Sequence, residues 1–143
     1  MSTGLKGISR RVFEEVWNQK ELDTVDELMA ANYVHHDPQS AVPSGIDGYK
    51  QFVRYYLNAF PDLRFTIEDE IVEGDLVVTR WTATGTHDGD LNELPRTGRR
   101  FSVTGMTMAR MSNGRVVESW SNWDTLGLMQ QLGRALEVKS RAA

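Results

Sequence analysis

RFSVTGMTMARMSNGRVVESWSNW, residues 100–123, decides the fold. Read in steps of two, Phe101, Val103, Gly105, Thr107, Ala109 and Met111 fall on one side, and Arg100, Ser102, Thr104, Met106, Met108 and Arg110 on the other. That is the period of a strand with one face turned to a core. Ser112-Asn113-Gly114 then interrupts the pattern with a hairpin signal, because Asn-Gly tolerates the positive φ angles of a tight turn. Arg115–Trp123 resumes the alternation: Val117, Ser119, Ser121 and Trp123 share one face, and Glu118, Trp120 and Asn122 the other. Met106, Met108 and Trp120 make the outward face sticky.

Working back from the hairpin, the same period continues as far as Pro61. Leu76–His87 is rich in Val, Thr and Trp. Gly74-Asp75 separates it from Leu63, Phe65 and Ile67, which alternate with Arg64, Thr66 and Glu68. Asp88–Arg99 reads as a polar loop. Before Pro61 the period is helical. Ile8, Val12, Phe13, Val16 and Trp17 form one stripe, and Tyr49, Phe52, Val53, Tyr56, Leu57 and Phe60 another. Ser44-Gly45-Ile46-Asp47 is similar to a capping box, with Asp in place of Glu. Between the two lies a short helix with Asp23 as its cap and Val25, Leu28 and Met29 inward. Beyond the hairpin, Asp124 opens a last short helix that Gly133 closes. Short turns between consecutive strands predict antiparallel pairing, and helices on one face of such a sheet predict an α+β domain. One domain spans 1–133, with a tail at 134–143.

Composition narrows the function classes. The chain has 143 residues, 40% hydrophobic and 25% charged, which suits a single globular domain. Its 16 Lys+Arg against 20 Asp+Glu leave a net charge of −4. That balance, with no basic block, argues against charge-driven binding of nucleic acid or of an anionic membrane. With no cysteine, thiol nucleophiles, disulfides and cysteine metal sites are excluded. No apolar run is long enough to span a membrane, and the expected location is the cytoplasm.

Proton-transfer groups are few. Tyr33-Val34-His35-His36-Asp37-Pro38 holds two of the three histidines. Neighbours in an extended segment point opposite ways, so His35 and His36 do not serve one site together. His87 stands where a strand leaves the sheet, a place that often borders a pocket. Asp124 is either a helix cap or an acid/base beside Trp123. The four tryptophans, Trp17 and Trp123 among them, line a pocket for a flat apolar ligand or are simply core. No pair of histidines has metal-ligand spacing, and neither a metal nor any other cofactor is expected.

The order of motifs resembles the SnoaL-like polyketide cyclase family, of the nuclear-transport-factor-2-like fold, from the first helix to Gly133. Its carriers are Tyr33–Pro38, Ala59-Phe60-Pro61-Asp62-Leu63, Gly85-Thr86-His87-Asp88-Gly89, Pro95–Arg99, Asn113–Trp120 and Asp124–Gly133. The resemblance implies a cone: a curved antiparallel sheet with helices on one face, a pocket inside, and a homodimer through the outer sheet face. It also implies an intramolecular aldol on a polyketide ester without cofactor. The aspartate that serves the cyclases falls at Ser121 here, and their helper positions at Gly105, Thr107 and Ser119. The expected chemistry is therefore cyclase- or isomerase-type acid/base catalysis on a small apolar substrate, with Asp124, His36 and His87 as proton-transfer groups. Tyr33, Trp17, Gly105, Thr107, Ser119, Ser121 and Trp123 are expected to contact the substrate. Alternatives are a hydroxylase or hydrolase of the same fold, or a non-catalytic small-molecule-binding dimer.

Overall fold

Asn113 and Gly114 both adopt positive φ, 51° and 76°, and so close the hairpin between β4 (Arg100–Ser112) and β5 (Arg115–Trp123). This is a computed structural model, and it describes residues 2–91 and 94–133; the tail assigned to 134–143 lies outside them. β2 (Arg64–Glu73) and β3 (Leu76–Thr86) make a second hairpin, and β3 pairs with β4 from Leu76↔Arg110 to Thr86↔Arg100. The fifth strand, β1 (Met29–His36), joins the far edge of β5, giving the order β1-β5-β4-β3-β2.

That edge corrects the antiparallel expectation. β1 runs parallel to β5, with His35 opposite Ser119 and His36 opposite Trp120. The sheet is mixed because a long crossover returns the chain in the same direction, as parallel neighbours require. Met29, expected to end a helix, starts this strand and is 1% exposed.

The helical half covers one face of the sheet. α1 (Ser2–Arg11) passes into a π-helical segment, Val12–Asn18, and α2 (Thr24–Leu28) and α3 (Gly45–Ala59) follow. Val12, Phe13, Val16 and Trp17 are buried, as the stripe predicts. α3 packs on β1 and the π-helical segment on β2. α4 (Thr125–Gln131) closes the far end against β4. Each fully buried aliphatic, such as Val16, Val25, Val53 or Val77 at 0% exposure, contributes roughly 1.5–3 kcal/mol. Neither Asp23 nor Ser44 makes a side-chain cap hydrogen bond, so the capping box does not form.

The β4 alternation holds: Phe101, Val103, Ala109 and Met111 are buried, whereas Met106 is 50% exposed. On β5 a register shift opposite Arg110/Met111 changes the parity at its start. Val116, not Val117, therefore enters the core; a bulge inserts one residue and switches the face.

Candidate functional site

Strand parity decides which polar groups reach the interior. Tyr33 and His35 share the inward parity of β1, and Asp37 continues it one step past the strand. Asp37 and Ser121 each follow directly on the last register pair, His36↔Trp120. All four line a cavity between the helices and the sheet, together with Ser119 and Thr107. The rest of the wall is largely apolar, with Phe52, Phe60, Phe65, Trp81, Phe101 and Val103 among its members. Its free volume of about 100 Å³ far exceeds the ~10–15 Å³ that one water needs.

Two hydrogen-bonded groups stand on that wall. In the first, Ser119 Oγ lies 2.6 Å from His35 Nδ1 and 2.5 Å from Tyr33 Oη. All three residues are buried. Burial, with the neighbouring charge of His36 adding to it, lowers the His35 pKa to about 4. The ring is therefore neutral at pH 7. Burial likewise pushes the Tyr33 phenol well up, so it stays protonated. In the second group, Trp81 Nε1 donates to Thr107 Oγ1 at 3.0 Å, and Thr107 Oγ1 lies 2.8 Å from Ser121 Oγ.

Asp37 lines the same cavity. Its Oδ2 accepts from Trp123 Nε1 at 3.3 Å, and its Oδ1 accepts from the Gln39 amide at 2.8 Å. Partial burial raises its pKa against the opposing pull of those two bonds. Asp37 and Ser121 also border a shallow depression on the outer side, lined by His36, Pro38 and Trp120. The carboxylate thus sits where the cavity meets the surface.

The residues expected at the site divide. Tyr33, Trp17, Thr107, Ser119, Ser121 and Trp123 all line the cavity. Gly105 is not among the lining residues: a Cβ there would lie 2.4 Å from Trp81 Cζ2, so the indole fills the space that a side chain would take. His36 faces outward, as alternation requires. Its Nε2 meets Glu118 Oε2 at 2.7 Å, and its ring stacks on Trp120 with centroids 5.3 Å apart. His87 is fully buried, but against Phe60 rather than on the wall. Its Nδ1 accepts from the Thr97 amide at 3.2 Å, which ties the loop after β3 back onto the strand end. Burial lowers its pKa. Asp124 caps α4, its Oδ1 accepting from the Gly127 amide at 2.8 Å, and it does not line the cavity. The structure thus separates the three expected proton-transfer groups and brings His35 and Asp37 together instead. Their shared parity with Tyr33 was the sequence signal for both.

Among the described residues, no three of His, Asp and Glu converge as metal ligands, and no helix is long and apolar enough to cross a membrane.

A model of the SnoaL-like polyketide cyclase family matches residues 8–132. The aklanonic acid methyl ester cyclase DnrD of Streptomyces peucetius is 30% identical over 139 residues, 93% of this chain and 92% of that protein. The aklanonic acid methyl ester cyclase DauD of Streptomyces sp. (strain C5) is 27% identical over 83% of this chain and 76% of its own length. The structure of TsrD from Streptomyces laurentii superposes with a TM-score of 0.85 at 29% identity, over 94% of this chain and 98% of that one.

Proposed function

The chain belongs to the SnoaL-like polyketide cyclase family, and on that premise we propose that it is a cofactor-independent cyclase-type enzyme acting on a small, largely apolar polyketide ester. The observation that carries this reading is the cavity: an aromatic wall interrupted by two compact hydrogen-bonded groups. Such a wall binds a flat apolar body, and a few placed polar atoms orient its carbonyls. The relatives named for aklanonic acid methyl ester point to a methyl ester as the kind of substrate, and the aromatic wall to a flat apolar one.

The Tyr33–Ser119–His35 group can receive the oxygen on which charge develops. With Nδ1 unprotonated, both hydroxyl hydrogens are consumed, Tyr33 donating to Ser119 and Ser119 to His35. With the proton on Nδ1, His35 donates to Ser119, one hydroxyl hydrogen joins Tyr33 to Ser119, and the other is free for a substrate oxygen. A neutral imidazole can shift between these tautomers without bringing a charge into the cavity.

A binding-only reading has one observation in its favour: Ser121 offers a hydroxyl, not a carboxylate. The two readings separate in one experiment. Aklanonic acid methyl ester, for which the two relatives are named, is mixed with the protein in the presence of EDTA and without added cofactor. Saturable quenching of tryptophan fluorescence together with ring closure supports the enzyme. Quenching without product supports the binder, and no binding contradicts both.

The expected partner is a second copy of the chain, meeting it through the outer sheet face. Exposed Met106 supports this, as does the Arg110–Glu118 ion pair farther along the same face, whose two signs of charge suit a self-complementary patch.

A further inference from the structure

We propose that Asp37 is the catalytic carboxylate of this cavity, taking a proton from a substrate carbon and returning it to a substrate oxygen from a place beside Ser121. The proposal rests on the reading of the cavity as the reaction site, and goes beyond it by naming the base.

Three observations converge on Asp37. It lines the cavity at the point where the outer depression adjoins it, so substrate can reach its oxygens. Its two hydrogen bonds come from neutral donors, the Trp123 indole and the Gln39 amide, one to each oxygen. Asp26 and Asp69, by contrast, are paired with Lys50 and Arg80. A carboxylate held in orientation but left without a cation keeps its basicity. Asp37 follows His36, the last residue of β1 paired with β5, as Ser121 follows its partner Trp120, and both residues line the cavity and the depression. Ser121 Oγ, 2.8 Å from Thr107 Oγ1, can hydrogen-bond to a substrate there but cannot act as a base.

The step balances without any oxidant or reductant. An Asp37 oxygen forms a bond to the proton on the carbon between two carbonyls. The electron pair of the broken C–H bond becomes the enolate C=C, and the carbonyl oxygen carries the negative charge against the one free hydroxyl hydrogen of the Tyr33–Ser119 pair. The enolate carbon then attacks a second carbonyl of the same molecule, and the alkoxide so formed takes the proton back from the Asp37 carboxylic acid. General base catalysis of this kind is worth about 10²–10⁴-fold.

A purely structural role is the competing explanation, since Asp37 also opens a turn through the Gln39 amide and the Ser40 N–H···O=C Asp37 bond of 3.2 Å. Asp37→Asn keeps an oxygen for the Gln39 amide of that turn, removes the base, and gives up the acceptor of the Trp123 indole. The probe is ethyl benzoylacetate in deuterated buffer. Enzyme-dependent loss of its α-proton, above the rate of the buffer, is followed by NMR, and binding by tryptophan quenching. Wild type should bind the ester and exchange its proton. Asp37→Asn should bind it equally and melt normally, yet exchange about 100-fold more slowly or worse. Ser121→Asp, placed in the Asp37→Asn background, should recover at least tenfold of the loss, because it sets a carboxylate at the neighbouring register position. Asp37→Asn exchanging within threefold of wild type overturns the proposal, and so does a wild type that binds the ester without exchanging it. A folded double variant with no recovery overturns the placement beside Ser121. Failure of the wild type to bind the ester at all would instead count against the cavity reading on which the proposal rests.

Discussion

His35 and Asp37 are shifted in opposite directions by one cause. Burial penalises the charged form of each, so the imidazole falls to about 4 and the carboxyl rises. Tyr33, Tyr49 and His36 are the titratable groups next to His35, and Tyr56 the one next to Asp37. The linkage follows. The folded His35 binds its proton more weakly than the unfolded one, so its contribution to stability is complete above the unfolded pKa of 6.5 and is lost as pH falls through about 4. For Asp37 the sign reverses: the folded state favours the neutral acid, so ionisation near neutral pH costs stability. His35→Asn retains an amide in place of Nδ1 and should flatten the fall of melting temperature between pH 6.5 and about 4. An unchanged slope contradicts the account. Asp37→Asn relieves the desolvation of the carboxylate but gives up the Trp123 bond, so it should melt close to wild type at pH 7, and higher if the relief is the larger effect. A residue that a fold retains against its own stability is typical of a working site. The shared parity of Tyr33, His35 and Asp37 makes their common face legible in sequence. The desolvation that separates His35 from His36 is legible only once α3 is known to cover β1.

At the scale of elements, Asp124 distinguishes local from tertiary roles. Its bond to the Gly127 amide satisfies one of the free N–H groups of the α4 N-terminus. Asp124→Asn keeps that acceptor and should leave both stability and ring closure unchanged. Asp124→Ala should cost about 1 kcal/mol in chemical denaturation and still leave turnover intact. Loss of turnover in a normally folded Asn variant would return Asp124 to the chemistry. The cap itself is readable from an Asp at the head of a short apolar run, and the β4–β5 hairpin from period two broken by Asn-Gly. β1 is not readable in this way. Its partner β5 lies some eighty residues on, so no turn signals the pairing, and Ala30, Ala31 and Asn32 blur the alternation. The bulge that puts Val116 inside instead of Val117 leaves no local mark either, because the two residues are identical in type.

At the scale of the whole molecule, the sheet has two faces with different tasks. The inner face, under the helices, holds the cavity; the outer carries Met106, Met108 and Trp120, with Arg110 Cζ 5.3 Å over the Trp120 ring. If the outer face joins two copies, sedimentation at micromolar concentration should give a dimer, and Met106→Lys should shift it toward monomer; a wild-type monomer contradicts this. The inward faces follow from the patterning of β4 and β5 and from the helical stripes before Pro61, and the cone from the family resemblance. The position of the base does not, because it depends on β1 entering the sheet in parallel and carrying Asp37 past the strand end to Ser121. The central claim is that chemistry occurs inside the cone. The most direct test is the structure of the protein with bound aklanonic acid methyl ester. The account predicts the rings against Phe60 and Phe101, a carbonyl oxygen within hydrogen-bond reach of Tyr33 or Ser119, and the acidic carbon beside Asp37. A ligand seated on the outer face at His36 and Trp120, with the cavity closed to it, would contradict the account.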